Sequence, residues 1–457
     1  MGAVCKPPFN PNILAPRRGS LQRRCFGIKS IVREERFHPQ YRELHTELLA
    51  RPFPEVSGLV MVAQRVIIFT PSEMVAHCSA VADLVNYPGV TATPAHHGFQ
   101  LLRLDTAELR IEQHTEFTAI TVFAPQAGPP FANSAIDLLP TGWLDAIPGR
   151  FLAAVEIASE QLPAEDAGTT ETMERVSEFF DRERLVGGWV VERVASVWSS
   201  FRLDERGATR FLVQGRQLTP ARYGRLLQRL VEIETYRLAA MLSLPLARDL
   251  LPQIDQLEAR HVTLVERIGA MDAGDERALL GDLTNLSLTT ERLQARCGSR
   301  FSLTESYARI LWSRVRELRE EQVPGYQTIN EFFDRRLTQD LHTCKKAEAE
   351  LSALSARLQS TTSLLRTRVE VNLQSQNQLL LASVDRRAAA QLRLQRAVEG
   401  LSVVVLTYYL ANLLKLILEG TEAAGITVHA TLVVALFVPL LAAGVWWAVR
   451  GSKRPED

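Results

Sequence analysis

The sequence contains none of the motifs that usually carry chemistry. Within its 457 residues there is no P-loop, no HExxH pair, no GxSxG elbow and no Rossmann glycine pattern. The five cysteines form no CxxC pair and no metal-ligand spacing, which favours isolated thiols in a reduced compartment. Lysine plus arginine and aspartate plus glutamate number 52 each, so no general basic surface is available for nucleic acid. We therefore expect a protein that is not an enzyme, has no cofactor and does not bind nucleic acid.

Glycine and proline are also absent between Gly325 and Gly400. Because these two residues most often end helices, and Leu, Ala, Arg, Gln and Glu dominate the stretch, one unbroken helix is predicted over 326–400. We call this helix the stalk; its length would be on the order of 100 Å. Asn372 and several glutamines interrupt its apolar residues, either as a solvated face or as a polar layer. A narrow heptad-like seam favours packing against helices of the same chain or of neighbouring subunits: Leu351, Leu354, Leu358, Leu365, Val369, Leu373, Leu380 and Val384.

Two long apolar runs, residues 401–418 and 430–449, follow the stalk. Each has about the length that a helix needs to cross a hydrocarbon core of roughly 30 Å, so a transmembrane hairpin over 401–449 is predicted, with the lipid bilayer as its partner. The joining loop carries glutamates and no lysine or arginine, whereas arginines precede the first run and the tail at 450–457 is basic. The positive-inside rule then places the N- and C-termini of a multi-pass protein in the cytoplasm.

Four polar residues share one helical face of the first apolar run, because they are spaced by four, three and four positions: Tyr408, Asn412, Lys415 and Glu419. Polar groups at membrane depth tend to face protein or water, so one interpretation is a pore mouth above an apolar constriction. The other is that Lys415 and Glu419 snorkel and pair near the outer interface, while Asn412 bonds a neighbouring helix. These residues are the candidates for a pore or an interface.

The part before the stalk divides into three segments. Residues 1–36 are basic and rich in proline, and predict a disordered tail rather than a transit peptide, whose amphipathic helix the prolines oppose. Residues 37–215 predict an α/β domain with a mainly antiparallel sheet and one intervening helix over 71–85. Residues 216–325 predict a helical connector. The predicted strands are 58–62, 66–70, 99–105, 108–114, 116–123, 151–157, 188–201 and 209–213.

The connector carries amphipathic patterns from Thr219 onward. Pro245 is expected to end or kink its first helix, and further helices are predicted at 253–268, 276–295 and 307–321. Its many arginines and glutamates indicate a salt-bridged helical face or a regulatory acidic site.

Glu112, His114 and Glu116 alternate in the sequence, so on one strand they would project from the same face about 7 Å apart. Carboxylate and imidazole are ordinary ligands of divalent cations, and a metal site is one interpretation. A solvated strand face is the other.

Six blocks occur in order from about residue 37 to the C-terminus: HPxxR at 38–42, ELLARPF at 47–53, HTEFT at 114–118, QRLVEIETYR at 228–237, EFFDRRL at 331–337 and LLRTRVEVNLQSQNQLLLASVDRRAAAQLRLQRAVEGLSVV at 364–404. Together they resemble a bacterial family of uncharacterised membrane-anchored proteins, domain of unknown function 3422. The resemblance implies membrane anchoring and no known activity. The family's usual ELHARP has His where this chain has Leu49, which argues against catalysis at that position.

The layout also resembles that of CorA-type divalent-cation channels, which combine a cytoplasmic α/β domain, a very long helix entering the membrane, a second span and a basic tail. Their Gly-Met-Asn signature at the outer end of the first span is missing, since Leu418, Glu419 and Gly420 stand there. The likeness is one of arrangement only.

These patterns predict an α+β cytoplasmic domain followed by a helical layer, a very long stalk helix and a two-helix transmembrane hairpin. The resemblance implies the bacterial inner membrane as its location. We expect a self-associating scaffold or sensor that forms a homo-oligomer through the stalk. The alternative hypothesis is a CorA-like channel or transporter for a divalent cation.

Overall fold

The computed structural model describes residues 38, 40–41, 53–93, 98–161, 169–215, 218–270, 275–423 and 430–451. The predicted tail at 1–36, Leu49 and residues 452–457 lie outside these ranges. The chain divides into two compact units, Met1–Thr263 with Asn285–Leu358, and Leu264–Thr284 with Gln359–Asp457.

The first unit contains a ten-stranded sheet in the order β10-β7-β8-β9-β6-β1-β5-β4-β3-β2. Only the β6–β9 pair is parallel among the described pairs, so the prediction of a mainly antiparallel sheet is confirmed. The strands are β1 (Val60–Ile68), β2 (Val90–Ala92), β3 (Phe99–Leu104), β4 (Ala107–Gln113), β5 (Phe117–Pro125), β6 (Arg150–Gln161), β7 (Val186–Val190), β8 (Ala195–Ser199), β9 (Thr209–Gly215) and β10 (Glu321–Gln322).

At two places the number of predicted strands is wrong. The pattern predicted two strands where β1 is one, because its polar centre at Gln64 and Arg65 pairs with both β5 and β6. The stretch 188–201, predicted as one strand, is the hairpin of β7 and β8. Its turn contains three consecutive residues with positive φ, and none is the glycine or asparagine that usually marks such a turn: Val191, Glu192 and Arg193.

Both faces of the sheet are buried, and the alternation along β1 assigns its residues to them. Val62 belongs to the core that includes Leu226 and Phe333, whereas Ala63 packs in the core that includes Val81 and Trp143. The helices on this second side are short: α1 (Met74–Ala82), α2 (Trp143–Ala146), α3 (Thr170–Glu178), and 3-10 turns at Asp83–Asn86 and Ala135–Leu138.

After β9 the described ranges contain five further helices: α4 (Pro220–Met241), α5 (Leu244–Gly269), α6 (Glu276–Glu317), α7 (Ile329–Ala423) and α8 (Ala430–Gly451). The mixed sheet, the helices after it, the long helix and the final apolar helix confirm the predicted fold class. The connector contains fewer and longer helices than its pattern predicted. The helix predicted at 253–268 is part of α5, with Pro252 inside it, and those at 276–295 and 307–321 form one α6.

Polar contacts join α5, α6 and α7 within each compact unit. In the first, Arg248 pairs with Asp340 at 3.3 Å, and Arg357 pairs with Glu258. In the second, Arg267 pairs with Asp282 at 3.2 Å, Arg368 donates to the Ile268 carbonyl at 2.9 Å, and Asn372 donates to Glu276. The salt-bridged helical face expected from the sequence is therefore present among the described residues.

Candidate functional site

The apolar seam of α7 is buried along only part of its length. Leu351, Leu354 and Leu358 are at most 2% exposed, and Leu365 is 1% exposed. The first half of the predicted seam is therefore used inside the chain itself.

Beyond Asn372 the same helix exposes its apolar side chains. We call residues 373–400 the bare segment; at 1.5 Å per residue it is about 42 Å long. At 100° per residue, five of its apolar residues fall on one side of the helix, which we call the bare face. They are 52–67% exposed: Leu373, Leu380, Val384, Leu394 and Val398. That this face forms a coiled coil stays a prediction.

The C-terminal part of α7 and the final helix α8 are long and apolar enough to cross a membrane, judged by length and composition. Most of their described side chains are exposed, as with Leu416, Leu436 and Trp447 at 64%, 74% and 75%. The two helices thus differ from the buried core helices of a soluble protein, which pass the same length and composition test.

The four polar residues of the first apolar run lie in α7. Lys415 Nζ and Glu419 Oε1 are 3.6 Å apart, as an i,i+4 pair. Tyr408 is 66% exposed, its ring lies 5.8 Å from that of Tyr409, and Asn412 is exposed. The i,i+4 pair that one interpretation expected is present, while the position at the outer interface and the pore mouth both stay predictions.

The premise of the metal site is wrong, because its three residues do not share a strand. β4 ends at Gln113, so Glu112 is in the strand, whereas His114 and Glu116 belong to the turn before β5. The His114 ring stacks on Phe117 at 4.3 Å instead. In the described ranges, no group of three His, Cys, Asp or Glu side chains is arranged to hold a metal ion.

Glu116 is held by α6. Arg300 donates to it through both terminal nitrogens, at 2.9 Å to Oε1 and 2.8 Å to Oε2, and the Tyr307 hydroxyl donates at 2.9 Å. Burial and the neighbouring carboxylate of Glu116 raise the pKa of Tyr307, so this hydroxyl stays protonated and able to donate. The Glu116 cluster is thus a clamp between the β4–β5 turn and a helix.

Replacing Arg300 with methionine should lower the free energy of unfolding by about 2 kcal/mol, because Glu116, 12% exposed, would lose its bidentate partner. Adding Glu116→Gln should restore part of this loss. The measurement is urea unfolding of the purified chain. Arg309→Met is the matched control, since its pair with Glu305 is 73% and 61% exposed and 4.0 Å long. Equal losses in the two arginine variants would contradict the clamp.

A groove of about 460 Å³ between α6 and α7 has an apolar floor that includes Phe301, Trp312 and Leu341. Its one thiol, Cys344, accepts a hydrogen bond from the Ser243 hydroxyl at 3.3 Å, and burial raises the pKa of this thiol. A protonated, buried thiol is a poor nucleophile. The groove therefore offers no activated cysteine.

Comparison with protein families gives a match over residues 36–455 to the family described as "Protein of unknown function (DUF3422)". The chain belongs to this family. Comparison with curated proteins finds no match. Neither comparison supports the resemblance to CorA-type channels in layout.

In this DUF3422 chain, the block at 228–237 fixes α4 on the sheet. Glu234, fully buried, accepts from the Thr209 hydroxyl at 2.8 Å and from Arg237 at 2.6 and 2.8 Å. The Thr235 hydroxyl donates to Gln64 of β1 at 2.7 Å. Because these buried polar groups satisfy one another, packing and hydrogen bonding explain Glu234 and Thr235 of this block.

The block at 331–337 fixes the start of α7. Phe332 stacks on Phe201 with ring centroids 5.0 Å apart, and Phe333 lies 5.0 Å from the same ring. Thr328 and Glu331 form a capping box, with each backbone N–H donating to the other side chain at 3.1 Å. The Glu320 carboxylate accepts from the next two N–H groups of the helix, at 2.8 and 3.1 Å.

Burial raises the pKa of Glu320 to about 7 from its ordinary 4.5. The folded state therefore binds more protons than the unfolded state between these values, and its stability should fall as pH rises through this window. Across this window we expect the free energy of unfolding to fall by on the order of 2 kcal/mol, after a discount for solvent screening. In the Glu320→Gln variant the free energy of unfolding should depend less on pH.

The measurement is the unfolding midpoint of the DUF3422 chain at pH 5, 6, 7 and 8. Glu321→Gln is the control, because Glu321 is adjacent, 45% exposed and paired with Arg193. The same slope in the Glu320→Gln variant and in the unmodified chain would show that Glu320 is not responsible.

Sequence reasoning missed most of the residues in these contacts. Glu116 and Tyr307 are 191 positions apart, so no local pattern connects them. The Thr328-x-x-Glu331 spacing, in contrast, is a capping signature and would have placed the start of α7 correctly, at Ile329 rather than at 326.

Proposed function

We propose that this protein is a membrane-anchored, non-enzymatic scaffold or sensor that self-associates through α7 and presents its sheet domain to the cytoplasm. The bare face of α7 carries this proposal. Leu380 and Val384 are 63% and 58% exposed there.

A helix with this surface is poorly suited to stand alone in water. Isolated helices gain little stability from propensity, and most helical stability in proteins comes from packing of an apolar face. Covering one Leu or Val side chain contributes about 1.5–3 kcal/mol, so a partner for the bare face would stabilise it substantially. Copies anchored in one membrane have the same orientation. Parallel association would therefore bring the bare faces together.

The anchor is supported by the two long apolar helices, whose exposed side chains a bilayer would cover. The distribution of arginines and glutamates supports an orientation with both termini in the cytoplasm. A non-enzymatic role is supported by three carboxylates of the described ranges, Glu116, Glu234 and Glu320. Each of them accepts hydrogen bonds from other groups of the chain.

Two measurements on the full chain test the proposal. Membranes are first washed with alkaline carbonate to test anchoring, and the detergent-purified chain is then examined by native mass spectrometry to count its subunits. We expect the chain to stay in the membrane pellet and to form one defined homo-oligomer. Release by carbonate would overturn the anchor. A monomer at every concentration would overturn self-association.

A further inference from the structure

The last turns of the bare segment carry arginines on the side away from the bare face. Arg386, Arg393 and Arg396 are spaced by seven and three positions, so at 100° per residue they fall within about 80° of one another. Four of the five residues of the bare face, including Val384 and Val398, lie at least about 120° from them, and Leu394 lies at least about 80° away. We call these three arginines the basic face. Arg387 falls on the same side as the bare face and is not included.

The basic face forms no ion pair with the described part of the chain. All three residues are exposed, and in the part of the chain that the structure describes no carboxylate lies within ion-pairing distance of them. No Asp or Glu occurs from 386 to 398. Some arginines elsewhere, such as Arg237 and Arg300, are paired with glutamates at 2.6 and 2.8 Å.

The distance to the apolar run decides which partner the basic face can reach. Arg396 and Arg393 precede Leu401 by five and eight residues, which is about 7.5 and 12 Å along the helix axis. The potential of an anionic surface falls off within a Debye length of about 8–10 Å, so Arg396 lies within its range, and Arg393, slightly beyond it along the axis, reaches it through its long side chain. Arg386, at about 22 Å, contributes less.

We propose that the basic face of α7 binds the headgroups of anionic phospholipids, with Arg393 and Arg396 as the main contacts. This inference rests on the proposed membrane anchoring. Guanidinium groups bind phosphate oxygens in a bidentate manner, and the net negative charge of an anionic headgroup, which carries no compensating cation, adds to the attraction. Because the arginines lie on the side of α7 away from the bare face, they can contact lipid while that face is occupied by other copies of the chain.

The test uses the full chain in two steps. Flotation with phosphatidylcholine vesicles first checks anchoring. The chain is then mixed in detergent with equal amounts of phosphatidylcholine and phosphatidylglycerol, and lipid adducts are counted by native mass spectrometry. About 1 kcal/mol per arginine corresponds to roughly fivefold, so we expect at least about a fivefold excess of phosphatidylglycerol adducts. This excess should disappear in the Arg386→Gln, Arg393→Gln, Arg396→Gln variant and at high salt.

The control variant removes the same charge elsewhere, at three exposed arginines: Arg292→Gln, Arg296→Gln and Arg366→Gln. It should keep the excess. A chain that does not float overturns the proposed anchoring together with this inference. A chain that floats but shows equal adducts, or the same excess in the basic-face variant, overturns this inference alone.

Discussion

Replacing Gly224 with alanine is expected to lower the free energy of unfolding by about 3 kcal/mol or more. Gly224 is buried in α4, and a Cβ atom there would lie 1.7 Å from the carbonyl oxygen of Pro54 and 2.6 Å from its carbon. The contact is with backbone, which cannot rotate away as a side chain would. The segment it would displace is held by the Val56 N–H, which donates to the Pro220 carbonyl at 3.2 Å.

The direction of this effect distinguishes a steric clash from helix propensity, because propensity alone would favour alanine by about 1 kcal/mol. At Gly281 and Gly298 in α6, a Cβ atom would meet no other atom within 4 Å, so alanine at either position should stabilise the chain slightly. Thermal and urea unfolding of the three variants measure the contrast. A Gly224→Ala chain as stable as the Gly281→Ala chain would contradict the close approach of Pro54.

The second large effect is expected from charges on the bare face. Leu380→Glu with Val384→Glu should weaken self-association by at least about a hundredfold, because two apolar side chains worth about 1.5–3 kcal/mol each are replaced by carboxylates of like charge. Dilution series of the purified chain, followed by light scattering and native mass spectrometry, measure the change.

Gln378→Glu with Ala382→Glu is the matched control. It adds two charges with the same i,i+4 spacing, at exposed positions on the opposite side of α7. We expect this variant to retain the oligomer. If both pairs of charges weakened association equally, the bare face would not be the contact surface.

Local patterns alone determined the long helix, the two apolar runs and the mainly antiparallel sheet. Glycine and proline are missing from 326–399, and a helix without a local break continues, as α7 does over this stretch from Ile329 onward. Apolar and polar residues alternate strongly enough at 99–105, 108–114 and 116–123 to predict β3, β4 and β5 within a few residues.

Only the tertiary structure decided what the polar and apolar groups of these elements contact. The seam of α7 looks alike at Leu358 and Leu380, yet Leu358 is fully buried and Leu380 is 63% exposed. The sequence pattern suggested that Glu116 is a metal ligand. In the fold its charge is paired with Arg300, which is 184 positions away. Periodicity within one element fixes which side chains share a face. The partner of that face comes from residues distant in the chain, and burial and charge pairing with them are fixed only when the chain folds.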